Sequence, residues 1–206
     1  MHLSHLTNQD LHPTSLLDAQ RVIAELVKDN ERLRNLAFID GLTELMNRTP
    51  IIDFLDRELD GAVGCELRAP HNGAESLAVI ALDLVGFKRV NDTISHTEGD
   101  RALQHTAQVL KKSIRKKDRA ARWGGDEFLV VLENVDDAGV ALVVGRILKG
   151  IRAFGNGLDA RIGGVIWTRS MGAAQPNELI EAADAQERWM KRQGLSGACV
   201  VEFKKE

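Results

Sequence analysis

Two short, mostly apolar runs joined by a pair of glycines constrain this chain more than any other feature of its sequence. The runs are residues 120–123 and 127–132, and Gly124 and Gly125 lie between them. Glycine adopts positive φ angles at little steric cost, so the pair permits the tight turn of a β-hairpin. The pattern therefore predicts two strands that meet at a sharp turn, with two acidic residues directly after the glycines.

Strands and helices alternate on both sides of this hairpin. An almost uninterrupted apolar run at 76–84 predicts a buried strand that carries Asp83 to its C-terminal edge. Apolar residues at helical spacing predict one helix face at 103–114 and another at 140–151. The remaining expected elements are a loop at 61–75, a strand at 160–167, a helix from Pro176 to Gln193 and a last strand at 198–203.

The segment before Asp40 has a different character. Residues 15–37 contain no proline or glycine, and a seam of residues falls alternately three and four apart, apolar except at Asn30. Such a heptad pattern predicts a parallel dimeric coiled coil, in which a single buried asparagine sets the register. The alternative is a single amphipathic helix that folds onto its own domain. The seam consists of Leu16, Ala19, Ile23, Leu26, Asn30, Leu33 and Ala37.

Composition limits the classes of protein and partner. The 206 residues, 44% of them hydrophobic, suffice for one dominant core, and two cysteines cannot form a disulfide framework. A net charge of -3 argues against general nucleic-acid binding. No apolar run approaches the ~20 residues of a membrane span. We therefore expect a cytoplasmic protein that binds neither a membrane nor a nucleic acid.

Three acids gather at the predicted strand ends. Asp83 ends one strand, and Asp126 and Glu127 lie at the Gly-Gly hairpin. Carboxylates brought together by a sheet repel one another unless a cation lies between them, and hard oxygen ligands favour Mg²⁺ or Mn²⁺. An acidic hairpin is by itself more often a solvated turn, but Gly124 and Gly125 allow a ligand to approach the backbone closely. The residues therefore indicate a divalent metal, whose usual role is to bridge nucleotide phosphates.

Polar residues that follow Asp83 could recognise a nucleotide. Lys88 lies at the expected start of a helix, where its ammonium group and the backbone N–H groups could face a phosphate. Asn91 and Asp100 bracket a polar turn, and an amide with a carboxylate can read the edge of guanine, which adenine does not match. The alternative for both residues is ordinary helix capping.

Several ordered motifs together resemble those of the GGDEF diguanylate cyclase family. The family signature is similar to Arg122-Trp123-Gly124-Gly125-Asp126-Glu127-Phe128, and its opening motif is similar to Asp40-Gly41-Leu42-Thr43-Glu44-Leu45-Met46-Asn47-Arg48. Further matches at the family's spacing are Phe87-Lys88, Asn91-Asp92, His96 and Gly99-Asp100 after Asp83, and Asp184, Lys191 and Gly194 in the closing helix. The resemblance covers about residues 38–204.

The resemblance implies an α+β, ferredoxin-like fold with an antiparallel-rich sheet flanked by helices. It divides the chain into an N-terminal tail and dimerising helix at 1–37 and a GGDEF catalytic domain at 38–206. It further implies condensation of two GTP molecules into cyclic di-GMP and two pyrophosphates, with Mg²⁺ or Mn²⁺ as cofactor. Each subunit of a homodimer would bind one GTP, and the active site would form where the two domains face each other.

The resemblance also implies roles for individual residues by position. Asp83 and Asp126 would hold the metal, with the Leu84 carbonyl as a backbone ligand. Glu127 would help to activate the attacking 3′-hydroxyl. The other implied roles are phosphate binding by Lys88 and Lys191, guanine binding by Asn91 and Asp100, and substrate contact by Phe87, Gly124 and Gly125.

A charged tetrapeptide, Arg115-Lys116-Lys117-Asp118, begins nine residues before the first glycine of the hairpin. It resembles the RxxD inhibitory site of many family members. In that role Arg115 would bind a phosphate or a guanine edge of cyclic di-GMP, and Asp118 would accept from the N–H groups of the base. Bound product would then hold two domains apart. The alternative is a solvated run of charges at a helix end.

Three departures from the family pattern bear on activity. Val85 replaces a common second aspartate, Ser95 replaces a glycine, and Leu195 replaces an arginine that usually contacts phosphate, although Arg192 lies nearby. The intact acids favour an active enzyme. One alternative is a GGDEF-like module that binds GTP or cyclic di-GMP without turnover and signals through its helix. The other is a structural dimerisation unit.

Overall fold

The computed structural model describes residues 16–60 and 73–204. It divides into two compact units, with the division between Ile39 and Asp40. The first unit contains helix α1, Leu16–Phe38, at the position of the heptad pattern. Within the described part of the chain, no helix is both long enough and apolar enough to cross a membrane.

The second unit alternates helices and strands. Its helices are α2 (Arg48–Asp60), α3 (Phe87–Thr93), α4 (His96–Ser113), α5 (Asp137–Arg152) and α6 (Pro176–Arg192). Its strands are β1 (Ser76–Val85), β2 (Arg119–Gly124), β3 (Glu127–Glu133), β4 (Asp159–Thr168) and β5 (Gly197–Glu202), and a short 3₁₀ turn at Arg169–Met171 follows β4. Every strand expected from the apolar runs is present. Most of the expected loop at 61–75 lies outside the described residues.

Within the described residues, five strands form one mixed sheet in the order β2-β3-β1-β4-β5. Strand β1 pairs antiparallel with β3 and with β4, β2 pairs antiparallel with β3, and β5 runs parallel to β4. The expected α+β, antiparallel-rich architecture with flanking helices is therefore confirmed. The register places Glu127 and Arg161 on either side of Asp83.

Helices cover both faces of this sheet. Helices α3, α4 and α5 pack on one face, and helices α2 and α6 pack on the other. Side chains along a strand alternate between the two faces. Ile80 and Leu82 of β1 accordingly belong to the core beneath α4 and α5, while Val79 belongs to the core beneath α2 and α6. By the same alternation, Asp83 lies on the α6 face.

Helix α6 lies close to β4 because Gly163 has no side chain. A Cβ atom at this position would lie 2.1 Å from the backbone nitrogen of Glu187 and 2.4 Å from the carbonyl oxygen of Ala183. A larger residue would therefore push the helix away from the sheet. The glycine therefore allows the C-terminal half of α6 to pack close to the end of the sheet where Asp83 lies.

Helix α2 is absent from the sequence-based prediction. Its buried residues Ile51, Phe54, Leu55 and Leu59 are nevertheless spaced as on one helical face. Pro50 lies in the first turn, where proline is tolerated because the N–H group that it lacks would have no partner in the helix. The signal for this helix was therefore present in the sequence after Pro50.

Candidate functional site

The hairpin between β2 and β3 has the geometry that its glycines allow. Gly125 adopts a φ of +48°, in the left-handed region that favours glycine. Asp126 follows in the turn, and its carbonyl oxygen accepts a hydrogen bond of 3.3 Å from the Leu84 N–H. Since the N–H and C=O of a strand residue point to the same side, the Leu84 carbonyl also faces the hairpin. The turn is thus held against the end of β1.

Three acids meet at this end of the sheet. Asp83 lies directly opposite Glu127 in the pairing of β1 with β3. The sequence predicted that Asp83 would end its strand. In the structure β1 continues two residues further, to Val85. Burial and the nearby charge of Asp83 raise the pKa of Asp126. Burial and the charges of Asp83 and Asp126 likewise raise the pKa of Glu127. The carboxylates are crowded enough to oppose one another's ionisation.

Two cationic side chains contact the Asp83 carboxylate. The Lys191 Nζ atom is 3.5 Å from Asp83 Oδ2, and a terminal guanidinium nitrogen of Arg161 is 2.8 Å from the same oxygen. That nitrogen also contacts Glu187 Oε1 at 3.1 Å. Sequence reasoning selected Lys191 but missed Arg161 and Glu187. The available signals were a charged residue inside an apolar strand and an acid on the apolar face of α6.

The donors at this edge suit a divalent metal that binds together with a nucleotide. Among the described residues, no group of three or more Asp, Glu, His or Cys side chains is placed to hold a metal ion. Asp83 and Asp126 nevertheless supply two carboxylates, and the Leu84 carbonyl faces the same hairpin. Mg²⁺ is usually bound through one or two carboxylates with water and substrate phosphates. The donor set therefore fits Mg²⁺ or Mn²⁺ shared with a triphosphate.

The residues expected to bind guanine lie at the junction of α3 and α4. The Asn91 side chain packs against the start of α4, where a Cβ atom on Gly99 would lie 1.8 Å from Asn91 Oδ1. Asp100 follows Gly99 and is exposed. The N-cap of α4 is Ser95, whose hydroxyl accepts a hydrogen bond of 3.1 Å from the Glu98 N–H. The serine that departs from the family pattern therefore has a capping role.

Phe87 and Lys88 form the first turn of α3. The preceding Gly86 is the N-cap, with a φ of +85°. Phe87 is half-buried and packs against the core beneath α4 and α5, so its ring anchors the short helix to the sheet. The Lys88 side chain is exposed beside it.

Arg122 holds the hairpin from outside the cluster of acids. Its Nε and one terminal nitrogen donate to the Gly125 carbonyl oxygen at 2.9 and 2.8 Å. The other terminal nitrogen lies 3.2 Å from each carboxylate oxygen of Asp40. Burial would raise the pKa of Asp40, but hydrogen bonds from Thr43 and the charge of Arg122 outweigh burial and lower it. The start of the opening motif is thereby tied to the turn.

A cleft of about 460 Å³ lies on the α6 face beside the acids. Asp83, Glu127 and Lys191 line it, together with Arg48 and Trp123. The guanidinium carbon of Arg48 is 4.4 Å from the centre of the Trp123 ring, which is a cation–π contact. The cleft thus combines both signs of charge with an aromatic wall, as small-molecule sites often do. The guanine-binding candidates at the α3–α4 junction do not line it.

The charged tetrapeptide lies at the opposite end of β2 from the hairpin. Arg115 is exposed, whereas Asp118 is 6% exposed. The Asp118 carboxylate accepts hydrogen bonds from the backbone N–H groups of Arg115, at 2.7 Å, and Glu133, at 3.2 Å. Arg119 donates to the carbonyl oxygens of residues 116–118. The segment is therefore an ordered loop that Asp118 and the first residue of β2, Arg119, hold in place.

Comparisons with known proteins agree with these motifs. The family model described as diguanylate cyclase, GGDEF domain, matches residues 37–196. The bifunctional diguanylate cyclase/cyclic di-GMP phosphodiesterase MucR of Pseudomonas aeruginosa is 33% identical over 184 residues, which cover 86% of this chain and 25% of that protein. Diguanylate cyclase A of Treponema denticola is 29% identical over 161 residues, which cover 78% of this chain and 42% of that protein. The chain thus spans less than half the length of these two relatives.

The architecture also matches a solved structure. The coiled coil and GGDEF domain of DgcB from Caulobacter crescentus, in complex with c-di-GMP, matches with a TM-score of 0.76 and 24% identity. The match covers 90% of this chain and 96% of the other. At this level of identity the likeness concerns the fold.

Proposed function

The chain belongs to the GGDEF family of diguanylate cyclase domains, and on that premise we propose that it condenses two molecules of GTP into cyclic di-GMP and two pyrophosphates. One observation supports the proposal above all. Asp83, Asp126 and Glu127 are crowded around the hairpin, and Lys191 Nζ lies 3.5 Å from Asp83. A divalent metal held by these carboxylates, together with the lysine, would position a triphosphate, and positioning with charge stabilisation supplies most of the catalysis of phosphoryl transfer.

The acids at the hairpin would hold the metal and the phosphates. Asp83 and Asp126 would bind Mg²⁺ or Mn²⁺, with the Leu84 carbonyl as a third donor. When bound, the metal offsets negative charge on the phosphates. Lys191 would bind the phosphates on the α6 side, and the bare backbone at Gly124 and its neighbour allows them to approach the turn.

Glu127 would accept a proton from the 3′-hydroxyl that attacks the other nucleotide. Burial and neighbouring carboxylates raise its pKa, which makes it a stronger base than an ordinary carboxylate. Lys88 would bind phosphate at the start of α3. Asn91 is held against α4, and with Asp100 it would read guanine, the carboxylate accepting from N1–H and the amino group.

The reaction needs two half-sites, and we assign their pairing to α1. Ile23, Leu26 and Val27 are 60%, 59% and 53% exposed, so the helix leaves apolar positions uncovered in a single chain. A second copy would cover the seam as a parallel coiled coil.

A dilution series tests this pairing. Leu26→Pro breaks the helix, as would removal of residues 1–36, and either change should lower specific activity mainly at low protein concentration. The reason is that the helix raises the effective concentration of the two half-sites. Glu25→Gln, at an exposed polar position of the same helix, is the matched control. Equal activity of Leu26→Pro and wild type at every dilution would contradict a dimerising role.

Cyclic di-GMP would also act as an inhibitor through the loop before β2. The exposed Arg115 guanidinium can offer a two-pronged contact to a phosphate or a guanine edge. Asp118 already accepts two backbone hydrogen bonds there. We therefore propose that it stabilises the loop conformation and also contacts the base. The loop and the hairpin lie at opposite ends of β2, so product bound there would not compete directly with GTP.

Incubation of the full chain with GTP and Mg²⁺, followed by chromatography, tests the activity. We expect cyclic di-GMP and pyrophosphate from the wild type and neither product from Asp126→Ala. Glu202→Gln removes an exposed acid of the edge strand β5 and should keep wild-type turnover. GTP that stays intact with the wild type would contradict the proposal.

A second candidate function is a module that binds GTP or cyclic di-GMP without turnover and signals through α1. Two features favour it. Leu195 stands where the family usually has an arginine. Arg161 donates a hydrogen bond of 2.8 Å to Asp83, the carboxylate proposed to bind the metal. Calorimetry with GTP, run beside the turnover assay, separates the candidates, because only the module would bind GTP and leave it unreacted.

A further inference from the structure

Arg161 lies between two carboxylates at the end of the sheet where the acids cluster. One terminal guanidinium nitrogen is 2.8 Å from Asp83 Oδ2 and 3.1 Å from Glu187 Oε1. The Nε atom donates to the Leu195 carbonyl oxygen at 3.0 Å. These partners belong to β1, to α6 and to the segment after α6, so the guanidinium is held from several directions.

The three charged side chains of this cluster are largely buried. Side-chain exposure is 11% for Arg161, 14% for Asp83 and 8% for Glu187. Lys191, which contacts the same carboxylate, is 59% exposed. Buried ion pairs contribute little net stability, because desolvation offsets the attraction between the charges. The buried arginine therefore calls for an explanation other than stability, and its shortest contact is to the carboxylate assigned to the metal.

We propose that Arg161 makes metal binding at Asp83 conditional on the nucleotide. In the nucleotide-free protein, the guanidinium neutralises Asp83 and repels a divalent cation. A triphosphate brings enough negative charge to offset this repulsion, so the metal and the nucleotide bind together. This inference rests on the proposed function, because it takes Asp83 as a metal ligand.

Two distances indicate that the effect is large. Mg²⁺ lies ~2.1 Å from its oxygen ligands, and the Arg161 nitrogen lies 2.8 Å from the Asp83 carboxylate. A metal on the same carboxylate oxygen, Oδ2, would therefore lie within about 5 Å of that nitrogen. Salt screens a pair at such a short distance and low exposure only weakly. We expect removal of the arginine charge to tighten metal binding without nucleotide by about tenfold or more.

Glu187 determines which variants test the idea cleanly. Replacing Arg161 alone would leave Glu187 as an uncompensated buried charge, which is strongly destabilising. Arg161→Gln combined with Glu187→Gln removes both charges and keeps side chains of similar polarity. Arg161→Lys keeps the positive charge. Glu187→Gln alone removes one of the two carboxylates that contact this guanidinium nitrogen of Arg161. Asp83 is then its remaining carboxylate partner.

Titration of the full chain with Mn²⁺, followed by the electron paramagnetic resonance signal of free Mn²⁺, measures binding without reference to activity. We expect weak binding of Mn²⁺ alone to the wild type, to Arg161→Lys and to Glu187→Gln. The double variant should bind Mn²⁺ tighter than Glu187→Gln by about tenfold or more, because these two forms differ only in the arginine charge. A non-cyclising α,β-methylene analogue of GTP binds Mn²⁺ by itself, so equilibrium dialysis measures the Mn²⁺ that the protein retains with it. In its presence the four forms should differ much less. Thermal unfolding shows whether each form is folded.

Asp83→Asn added to the double variant separates this inference from the proposed function. The gain in Mn²⁺ affinity should disappear. Equal affinity of Glu187→Gln and the double variant, or a gain that survives Asp83→Asn, would overturn the role of Arg161. Tighter binding to Glu187→Gln than to the wild type would do the same, even if the double variant is unfolded. Failure of the wild type to bind Mn²⁺ with the GTP analogue would overturn the metal assignment itself, and the inference with it.

Discussion

The two ends of strand β2 carry acids in opposite situations. At one end, the nearly buried Asp118 accepts backbone hydrogen bonds from Arg115 and Glu133. At the other end, Asp126 is crowded by Asp83, and burial with that charge raises its pKa. A carboxylate met by backbone donors stabilises a loop, whereas carboxylates that face one another are stabilised by an added cation. The donors around an acidic motif, rather than its acidity, decide whether the acid stabilises its loop or favours an added cation.

Removal of an acid at the hairpin end should have the largest effect. Asp83→Ala or Asp126→Ala should lower turnover by about 100-fold or more, because a proposed metal ligand is lost. The fold should persist, since Asp126→Ala relieves repulsion among the acids and Arg161 keeps Glu187 as its partner in Asp83→Ala. Turnover at saturating Mg²⁺ and circular dichroism melting measure the two effects. Wild-type turnover in either variant would show that these carboxylates do not hold the metal.

Removal of the acid at the loop end should affect stability instead. Asp118→Ala leaves the Arg115 and Glu133 N–H groups without their acceptor, so the free energy of unfolding should fall by about 2 kcal/mol. Initial turnover per folded molecule should stay near wild type. Asp118→Asn keeps one acceptor oxygen and should lose about half as much. Urea unfolding measures the difference, and an unchanged midpoint for Asp118→Ala would contradict a structural role.

The exposed side chain of the same loop should respond to product rather than to substrate. Arg115→Ala removes the proposed contact with cyclic di-GMP, so calorimetry should show about tenfold weaker product binding. Product should accumulate further while the initial rate stays close to wild type. Lys116→Ala, at an exposed neighbour, is the control. A variant that binds product as tightly as wild type and stalls at the same product concentration would show that the tetrapeptide is only a loop.

The smallest expected effect is a gain in stability at the hairpin end. Since the fold raises the pKa of Asp126, the ionised group destabilises the protein above that pKa. The penalty disappears as pH falls below about 4, where both the folded and unfolded states bind the proton. Asp126→Asn should therefore raise the free energy of unfolding by ~0.5 kcal/mol at neutral pH. Unfolding curves across the acid range should show the difference vanish, and a less stable variant at neutral pH would be the opposite result.

Elements with a strong local signal were predictable. The hairpin followed from Gly124 and Gly125, and β1 followed from one apolar run, because both signals lie within a few residues. Helix α2 was missed although its apolar residues, all after Pro50, have helical spacing. The capping role of Ser95 was also missed, because it depends on where α4 begins.

The candidate site was predictable only in part. The positions of Asp83, Asp126 and Lys191 followed from motifs, and the structure brings these side chains to one edge. The partners of Asp83 were not predictable in the same way. Arg161 is 78 residues from Asp83 in the chain, and Glu187 is 26 residues from Arg161.

The sequence alone determined the alternation of strands and helices and the residue types at the turn, because local periodicity and glycine decide these. Only the tertiary structure decided which charges share the α6 face with Asp83. The antiparallel register places Arg161 beside Asp83, and the bare backbone at Gly163 brings Glu187 down onto it. A one-residue change of register would move Arg161 to the opposite face of the sheet. Such juxtapositions depend on how distant elements pack, and no local pattern encodes them.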